Sequence, residues 1–166
     1  TKLGIRVAHV EAVLRSYDRE VPEETNRIVT DHVSDLLFAP TELSANTLRK
    51  EGLSQDRIHV VGNTIVDAVL QALPLAEQRT SYLPSINAIP GKYILLTMHR
   101  PANVDTAVVL QELVTAIAEI AQEYGISVIF PIHPRTKGSL KKFHITLPRS
   151  INAIEPCGFL EMLLLE

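Results

Sequence analysis

Short runs of apolar, β-branched residues alternate along the chain with amphipathic segments. This alternation is typical of βα units that build a parallel sheet, so the sequence predicts an α/β fold. The clearest helical pattern covers 106–124, where the apolar residues form one stripe and Gly125 supplies a left-handed end. The predicted strands are 5–10, 35–38, 58–61, 93–97, 127–130 and 152–154. The predicted helices are 23–34, 42–51, 65–72, 106–124 and 137–141.

The pattern lapses between residues 74 and 91, where Pro74, Pro84 and Pro90 interrupt a polar, weakly periodic stretch. We therefore predict an interdomain linker over 74–91, the end of a first doubly wound domain over 1–73, and the start of a second over 92–166. Ligands of such folds bind at the carboxyl ends of the strands. Residues that follow a predicted strand are thus the first candidates for a site.

Composition narrows the class of partner. The 166 residues include 16 basic and 19 acidic side chains, which give a net charge of −3. This balance argues against broad binding to nucleic acid or to an anionic membrane, although a phosphate pocket needs only a few cations. Cys157 is the single cysteine, which excludes an intramolecular disulfide and fits a reducing compartment. We expect a cytoplasmic protein without nucleic-acid or membrane partners.

Two groups of charged residues lie at the end of the first predicted strand and at the start of the helix that follows. Glu11 follows the strand directly, and Glu23, Glu24 and Arg27 open the helix. A structural interpretation is available for the second group, because acidic residues complement the helix dipole and Arg27 can pair with Glu23 at i,i+4. We favour it for Glu24. For Glu23 a catalytic carboxylate is an equal alternative, and Arg27 and the free N–H groups could then hold a phosphate.

Two later strands each end in a histidine and an arginine. His99 and Arg100 precede a proline, which fixes the loop, and Asp105 is predicted to cap the following helix. His133 and Arg135 repeat the arrangement one strand later. The alternative is a surface loop with solvated charges, but two such sites at successive strands indicate one diphosphate. The turn at 61–64 suits either a phosphate or a helix cap, and no spacing predicts a metal site.

The order of these motifs resembles that of the non-hydrolysing UDP-N-acetylglucosamine 2-epimerases. The most specific matches are His-Val-Glu-Ala-Val-Leu-Arg at 9–15 and Pro-Glu-Glu-Thr-Asn-Arg at 22–27. Further matches extend the resemblance over nearly the whole chain; they lie at 38–42, 61–64, 97–100, 132–134 and 155–156.

The resemblance implies two Rossmann-like domains in the GT-B arrangement, both incomplete, with a UDP-sugar in the cleft. It implies interconversion of UDP-GlcNAc and UDP-ManNAc for surface polysaccharide synthesis, by elimination of UDP to give 2-acetamidoglucal and re-addition of UDP. It implies no cofactor, and a homodimer in the full-length form. The implied catalytic residues are Glu11, Glu23 and His99, and the implied substrate-binding residues are Arg27, Arg100, His133 and Arg135.

Some positions depart from the family pattern. Val13 stands where the family usually has glycine, and a β-branched residue there would be costly if φ is positive. Met162 stands where an aromatic residue that packs on uracil is common. The family's amino-terminal Gly-Thr-Arg-Pro-Glu region, its catalytic aspartate and its carboxy-terminal UDP-binding segment are absent, so we expect the 166 residues alone to be inactive. A hydrolysing epimerase, a GT-B glycosyltransferase and a non-catalytic nucleotide-sugar binding module remain alternatives.

Overall fold

Strands and helices alternate throughout the computed structural model, which describes residues 3–19 and 21–166. Thr1 and Lys2, where the predicted first domain begins, and Glu20 lie outside the described residues. The strands are β1 Ala8–Val10, β2 Leu36–Ala39, β3 Ile58–Val60, β4 Tyr93–Leu95, β5 Ser127–Pro131 and β6 Ile151–Ile154. The helices are α1 Pro22–Val33, α2 Glu42–Lys50, α3 Thr64–Glu77, α4 Tyr82–Ser85, α5 Pro101–Val104, α6 Ala107–Tyr124, α7 Pro134–Lys142 and α8 Phe159–Leu165. A 3₁₀ turn, Gln55–Arg57, precedes β3.

The chain divides into two compact units, Thr1–Leu70 and Gln71–Glu166, and each has its own sheet. The first unit has the strand order β1-β2-β3, and all neighbouring strands are parallel. Its core joins Leu37 of the central strand to Ala45 and Leu48 of α2. The predicted α/β class is confirmed.

The second unit has the parallel strand order β4-β5-β6. Its central strand is buried on both faces, because Val128 and Phe130 pack in one cluster with Leu110 of α6, whereas Ile129 packs in another with Leu165 of α8. Burial on both faces explains why this strand is a continuous apolar run in the sequence.

The segment 74–91 is more regular than its prolines predict. Helix α3 continues through Pro74 to Glu77, and α4 lies inside the predicted linker. Ala72 and Ala76, on either side of the proline, are both buried, so packing outweighs the backbone hydrogen bond that the proline removes. Ala88 lies in the core of the second unit. The division into domains at 1–73, 74–91 and 92–166 stays a prediction.

Two helix starts differ from the sequence prediction. Asp105 is the C-cap of the unpredicted helix α5, and Thr106 is the N-cap of α6, so the prediction that Asp105 caps α6 is wrong. Helix α7 begins at Pro134, because His133 caps it and proline suits the first helical turn. Within the part of the chain that the structure describes, no helix has the length and hydropathy needed to cross a membrane.

Candidate active site

Glu11 directly follows β1 and opens a segment with an uncommon backbone, which we call the exit segment (residues 11–17). Glu11 has a φ of 61°, Val13 a φ of 64° and Tyr17 a φ of 58°. Left-handed φ values are uncommon for residues other than glycine and cost free energy, most of all for a β-branched residue. Val13 thus has the positive φ at which a β-branched residue is costly, at a position where the family usually has glycine. Thr64 Oγ1 donates a hydrogen bond of 3.2 Å to Glu11 Oε1, which orients the half-buried carboxylate.

The start of α1 carries the second group of candidate residues. Glu23 is exposed in the first turn, directly after Pro22. Arg27 pairs with Glu24, at 3.8 Å between Nη1 and Oε2, rather than with Glu23 as the i,i+4 spacing suggested. The guanidinium of Arg27 remains about one-third exposed, at 35%. Glu23 and Arg27 are therefore both accessible from solvent at this helix start.

Glu24 has a structural role different from the dipole interaction predicted for it. Its buried carboxylate accepts hydrogen bonds from the backbone N–H groups of Ser16 and Tyr17, at 2.8 and 3.1 Å, and from Ser16 Oγ at 3.0 Å. The backbone hydrogen bond from Ser16 contributes most to lowering the pKa of Glu24 below its usual value, although burial alone would raise it. Glu24 thus holds the end of the exit segment against α1.

A buried ionic cluster lies beside the exit segment. Asp31, with no exposed side-chain surface, lies 2.6 Å from Nδ1 of His9 and 2.6 Å from Nη2 of Arg15. Arg15 also binds both carboxylate oxygens of Glu51, at 2.9 and 2.7 Å. Burial by itself lowers the pKa of Arg15, but the hydrogen bonds to Glu51 and Asp31 outweigh this effect and leave it raised.

Asp31 and Glu51 match no motif that predicts a functional role. The seven-residue spacing of Glu24 and Asp31 does place both carboxylates on one face of α1, and that face is buried. Charged residues that are buried must be paired. Two acidic residues on the buried face of one helix were therefore the available signal.

In the second unit, the ends of β4 and β5 bring two histidines together. The ring centroids of His99 and His133 lie 5.6 Å apart, and both side chains are exposed. Thr136 Oγ1, which is buried, donates a hydrogen bond of 2.5 Å to the carbonyl of Met98 and so joins the two loops. Arg100 follows His99 and is the N-cap of α5.

His133 and Arg135 already have partners within the second unit. His133 Nδ1 accepts a hydrogen bond of 3.1 Å from the backbone N–H of Arg135, so Nε2 carries the ring proton in the neutral imidazole. The Arg135 guanidinium binds both oxygens of Asp105, at 2.9 and 2.5 Å. These hydrogen bonds lower the pKa of Asp105. Asp105 therefore competes with an anion for two of the five N–H donors of Arg135.

A cavity of about 530 Å³ lies at the carboxyl end of β6. Burial, followed by a hydrogen bond with Cys157, raises the pKa of Tyr82 in its wall to about 12. Met162 does not line the cavity; it packs against the core beside Leu165. The lining residues are Tyr82, Ile86, Ile154, Glu155, Pro156, Cys157, Gly158 and Glu161.

The turn before α3 is a helix cap, which was one of its two sequence interpretations. Gly62 has a φ of 84°, and Asn63 Oδ1 accepts a hydrogen bond of 3.1 Å from the N–H of Ile65. Among residues 3–19 and 21–166, no group of three His, Cys, Asp or Glu side chains could hold a metal ion. The candidate groups are thus carboxylates and the guanidinium of Arg27 in the first unit, and imidazoles with guanidiniums in the second.

Comparison with known proteins identifies the family. The family model described as UDP-N-acetylglucosamine 2-epimerase matches residues 1–166. The chain belongs to the UDP-N-acetylglucosamine 2-epimerase family. The family predicted from the motif order is therefore confirmed, and so is the GT-B class, because the solved structures that the chain matches are GT-B members of this epimerase family.

Individual relatives of this epimerase family match the whole chain but only part of their own length. The UDP-N-acetylglucosamine 2-epimerase of Methanococcus maripaludis is 49% identical, over 100% of this chain and 47% of the relative. The crystal structure of the Methanocaldococcus jannaschii UDP-GlcNAc 2-epimerase in complex with UDP-GlcNAc and UDP is 50% identical, with a TM-score of 0.88, over 99% of this chain and 46% of that one. A UDP-2,3-diacetamido-2,3-dideoxy-D-glucuronate 2-epimerase of Pseudomonas aeruginosa is 40% identical, over 98% of this chain and 44% of the relative. The chain spans about half the length of these relatives.

Proposed function

We propose that the chain forms part of a UDP-N-acetylglucosamine 2-epimerase that interconverts UDP-GlcNAc and UDP-ManNAc for surface polysaccharide synthesis. The observation that carries this proposal is the 50% identity, over 99% of the chain, to the M. jannaschii enzyme whose structure holds UDP-GlcNAc and UDP. The P. aeruginosa relative, which is named for a different UDP-sugar, is 40% identical. UDP-GlcNAc is thus the first substrate to test.

The proposed reaction begins with elimination of UDP. The C2 proton of the sugar is not beside a carbonyl, so its removal must be coupled to departure of the diphosphate from C1. We assign the proton transfers to the carboxylates of Glu11 and Glu23 and to the imidazole of His99. The hydrogen bond from Thr64 supports this role for Glu11, because it leaves one carboxylate oxygen free while fixing the other.

The departing UDP carries negative charge that cations and N–H donors stabilise. We assign this role to Arg27, Arg100, His133 and Arg135. In the second unit, His133 can donate through Nε2 without losing its hydrogen bond to the backbone of Arg135. Arg135 is the weakest of the four, because Asp105 already neutralises its charge and uses two of its donors. Re-addition of UDP at C1 and of a proton at C2, with the opposite configuration at C2, completes the epimerisation.

Three further features of the protein belong to the same proposal. The domains over 1–73 and 92–166 would be joined by the linker 74–91, as the sequence predicts. The full-length form would be a homodimer. The single cysteine supports a reducing, cytoplasmic setting.

The experiment uses a full-length hybrid, in which residues 1–166 replace the matching segment of the M. jannaschii enzyme. We expect the hybrid to convert UDP-GlcNAc to UDP-ManNAc and to exchange the C2 hydrogen with solvent deuterium. Glu11→Gln or Glu23→Gln should abolish UDP release and C2 exchange while largely sparing UDP binding. Glu119→Gln, an exposed glutamate of α6, is the matched control and should retain turnover.

The products separate the alternatives. Free ManNAc would indicate a hydrolysing epimerase, and a glycosylated acceptor would indicate a GT-B glycosyltransferase. UDP binding without deuterium incorporation at C2 would favour a non-catalytic binding module. Near-normal turnover in both the Glu11 and the Glu23 variants would exclude these two residues from the mechanism.

A further inference from the structure

Helix α1 carries, besides Glu23 at its start, two buried carboxylates that hold the exit segment. Glu24 and Asp31 have relative exposures of 2% and 0%, and they are the buried residues of this helix. Buried carboxylates are stable only when they are paired or hydrogen-bonded. Apart from Arg27 of the same helix, which lies 3.8 Å from Glu24, the partners of both carboxylates lie in β1 or in the exit segment.

The contacts of these two carboxylates lie on both sides of Glu11 in the chain. Asp31 contacts His9, two residues before Glu11, and Arg15, four residues after it, at 2.6 Å in both cases. Glu24 accepts hydrogen bonds from the backbone N–H groups of Ser16 and Tyr17. The helix that carries Glu23 is thus attached to the chain before and after Glu11.

These contacts stabilise the uncommon backbone conformation of the exit segment. Left-handed φ values of residues other than glycine persist only where the surrounding structure fixes them, and the segment has three such residues: Glu11, Val13 and Tyr17. The guanidinium of Arg15 adds a third attachment, because it binds Glu51, the C-cap of α2, through two nitrogen–oxygen contacts. Lysine has a single ammonium group and cannot reproduce this forked geometry.

We propose that Asp31, Arg15 and Glu24 are positioning residues, which fix the Glu11 carboxylate relative to Glu23 for proton transfer at C2. The proposal rests on the proposed function, because that function is what assigns proton transfer to Glu11 and Glu23. Asp31, Arg15 and Glu24 themselves make no contact with the substrate in this proposal. It predicts that a loss of the attachment lowers kcat with little effect on KM, because a misplacement of about 1 Å costs on the order of 100-fold in rate.

The first test measures the attachment itself on the 166-residue chain, without an activity assay. In Asp31→Asn, amide hydrogen exchange at Ala12, Ser16 and Tyr17 should be at least about tenfold faster than in the wild type. The control is Asp56→Asn, at an exposed aspartate that accepts a hydrogen bond from Ser54 outside this segment. Unchanged exchange in a folded Asp31→Asn protein overturns the proposal.

The second test measures turnover in the full-length hybrid. Asp31→Asn should lower kcat about 100-fold and Arg15→Lys about 10- to 100-fold, with KM and UDP affinity within about twofold of the wild type. Arg49→Lys is the matched control, since Arg49 pairs with the exposed Glu42. If Asp31→Asn does not fold, Glu51→Gln decides, because Glu51 is partly exposed and its loss removes only the third attachment. A fall of about threefold or more in kcat is then expected.

The outcomes are distinct. Faster exchange together with a lower kcat supports the proposal, and circular dichroism normalises kcat to the folded fraction. A kcat within about twofold of the wild type in the folded variants overturns it, even if exchange is faster. A wild-type hybrid that folds and binds UDP but has no turnover overturns the proposed function, and with it the catalytic purpose of the attachment.

Discussion

The two units hold their candidate groups at the strand ends by opposite means. In the first unit, Glu11 lies in a left-handed backbone beside the buried charges of Asp31 and Arg15. In the second, His99 and His133 are exposed, and their loops are joined by a buried hydrogen bond between two uncharged groups, Thr136 Oγ1 and the carbonyl of Met98. Prolines begin the short helices after both histidine loops, so the backbone there is fixed by covalent geometry.

This difference agrees with the chemistry proposed for each unit. A carboxylate that moves a proton needs a fixed position, because proton transfer requires contact within hydrogen-bonding distance. Groups that bind a diphosphate must stay accessible, and their charges attract it over longer distances. The first unit should therefore depend strongly on buried charge, whereas the second should depend on neutral hydrogen bonds and proline geometry.

The largest effect is expected from removal of the buried cation in the first unit. Arg15→Met leaves Asp31 and Glu51 without their guanidinium partner, so the free energy of unfolding should fall by about 3–5 kcal/mol. Urea-dependent hydrogen exchange of the β2 amides measures it for this unit. Arg49→Met, at a pair whose side chains are 34% and 64% exposed, should cost no more than about 1 kcal/mol. Equal costs in the two variants would contradict the role of buried charge.

Acid should affect the first unit through Glu24. The pKa of Glu24 is lowered in the folded state from an unfolded value near 4.5, so its contribution to stability is present above that pH. The contribution is lost as the pH falls below about 4.5, through the folded pKa. Thermal unfolding between pH 7 and pH 3 should show that Glu24→Gln is less stable at pH 7 and loses less stability towards pH 3. The same pH dependence in Glu24→Gln as in the control Glu119→Gln would assign acid sensitivity to other groups.

Loss of the buried Thr136–Met98 hydrogen bond in the second unit should lower the free energy of unfolding by less than loss of the Arg15 guanidinium. Thr136→Val keeps the shape of the buried side chain and removes its hydrogen bond to Met98, which should cost about 1–2 kcal/mol of unfolding free energy. The urea dependence of hydrogen exchange in β5 measures this cost, with the exposed Thr115→Val as control. A cost above that of Arg15→Met would reverse the comparison between the units.

Local pattern was sufficient for the main elements of the fold. Apolar periodicity identified all six strands that the structure describes, and Gly125 ended α6 with a φ of 63°. The Pro74 prediction failed because a local breaking signal was outweighed by the burial of Ala72 and Ala76. A proline indicates the free-energy cost of a lost backbone hydrogen bond, and that cost is only one of the contributions that decide where a helix ends.

In the candidate site, too, local pattern identified single residues but not the contacts between distant ones. Strand ends pointed to Glu11 and His99, since that inference requires only the position of a residue along its element. The cluster of Asp31, Arg15 and Glu51 joins residues 16 and 36 positions apart. Such pairs depend on how helices pack against the sheet, and no local period encodes them.

Val13 is a buried, β-branched residue with a left-handed backbone. It stands where the family usually has glycine, and it has a φ of 64° while the residue as a whole is 5% exposed. Truncation therefore changes two quantities, packing and backbone strain. Both Val13→Ala and Val13→Gly remove most of the packing, so the difference between these two variants reports the strain.

Glycine should be the better of the two replacements at this position. Relief of the left-handed strain makes Val13→Gly more stable than Val13→Ala by about 1 kcal/mol, as measured by urea unfolding. The matched pair in the second unit is Val128, which is fully buried in β5. There Val128→Gly should be less stable than Val128→Ala by about 0.5–1 kcal/mol, because glycine is more costly in an ordinary strand. The same order of stability at both positions would mean that the left-handed backbone of the exit segment stores no strain, and the two units would then differ only in their buried charges.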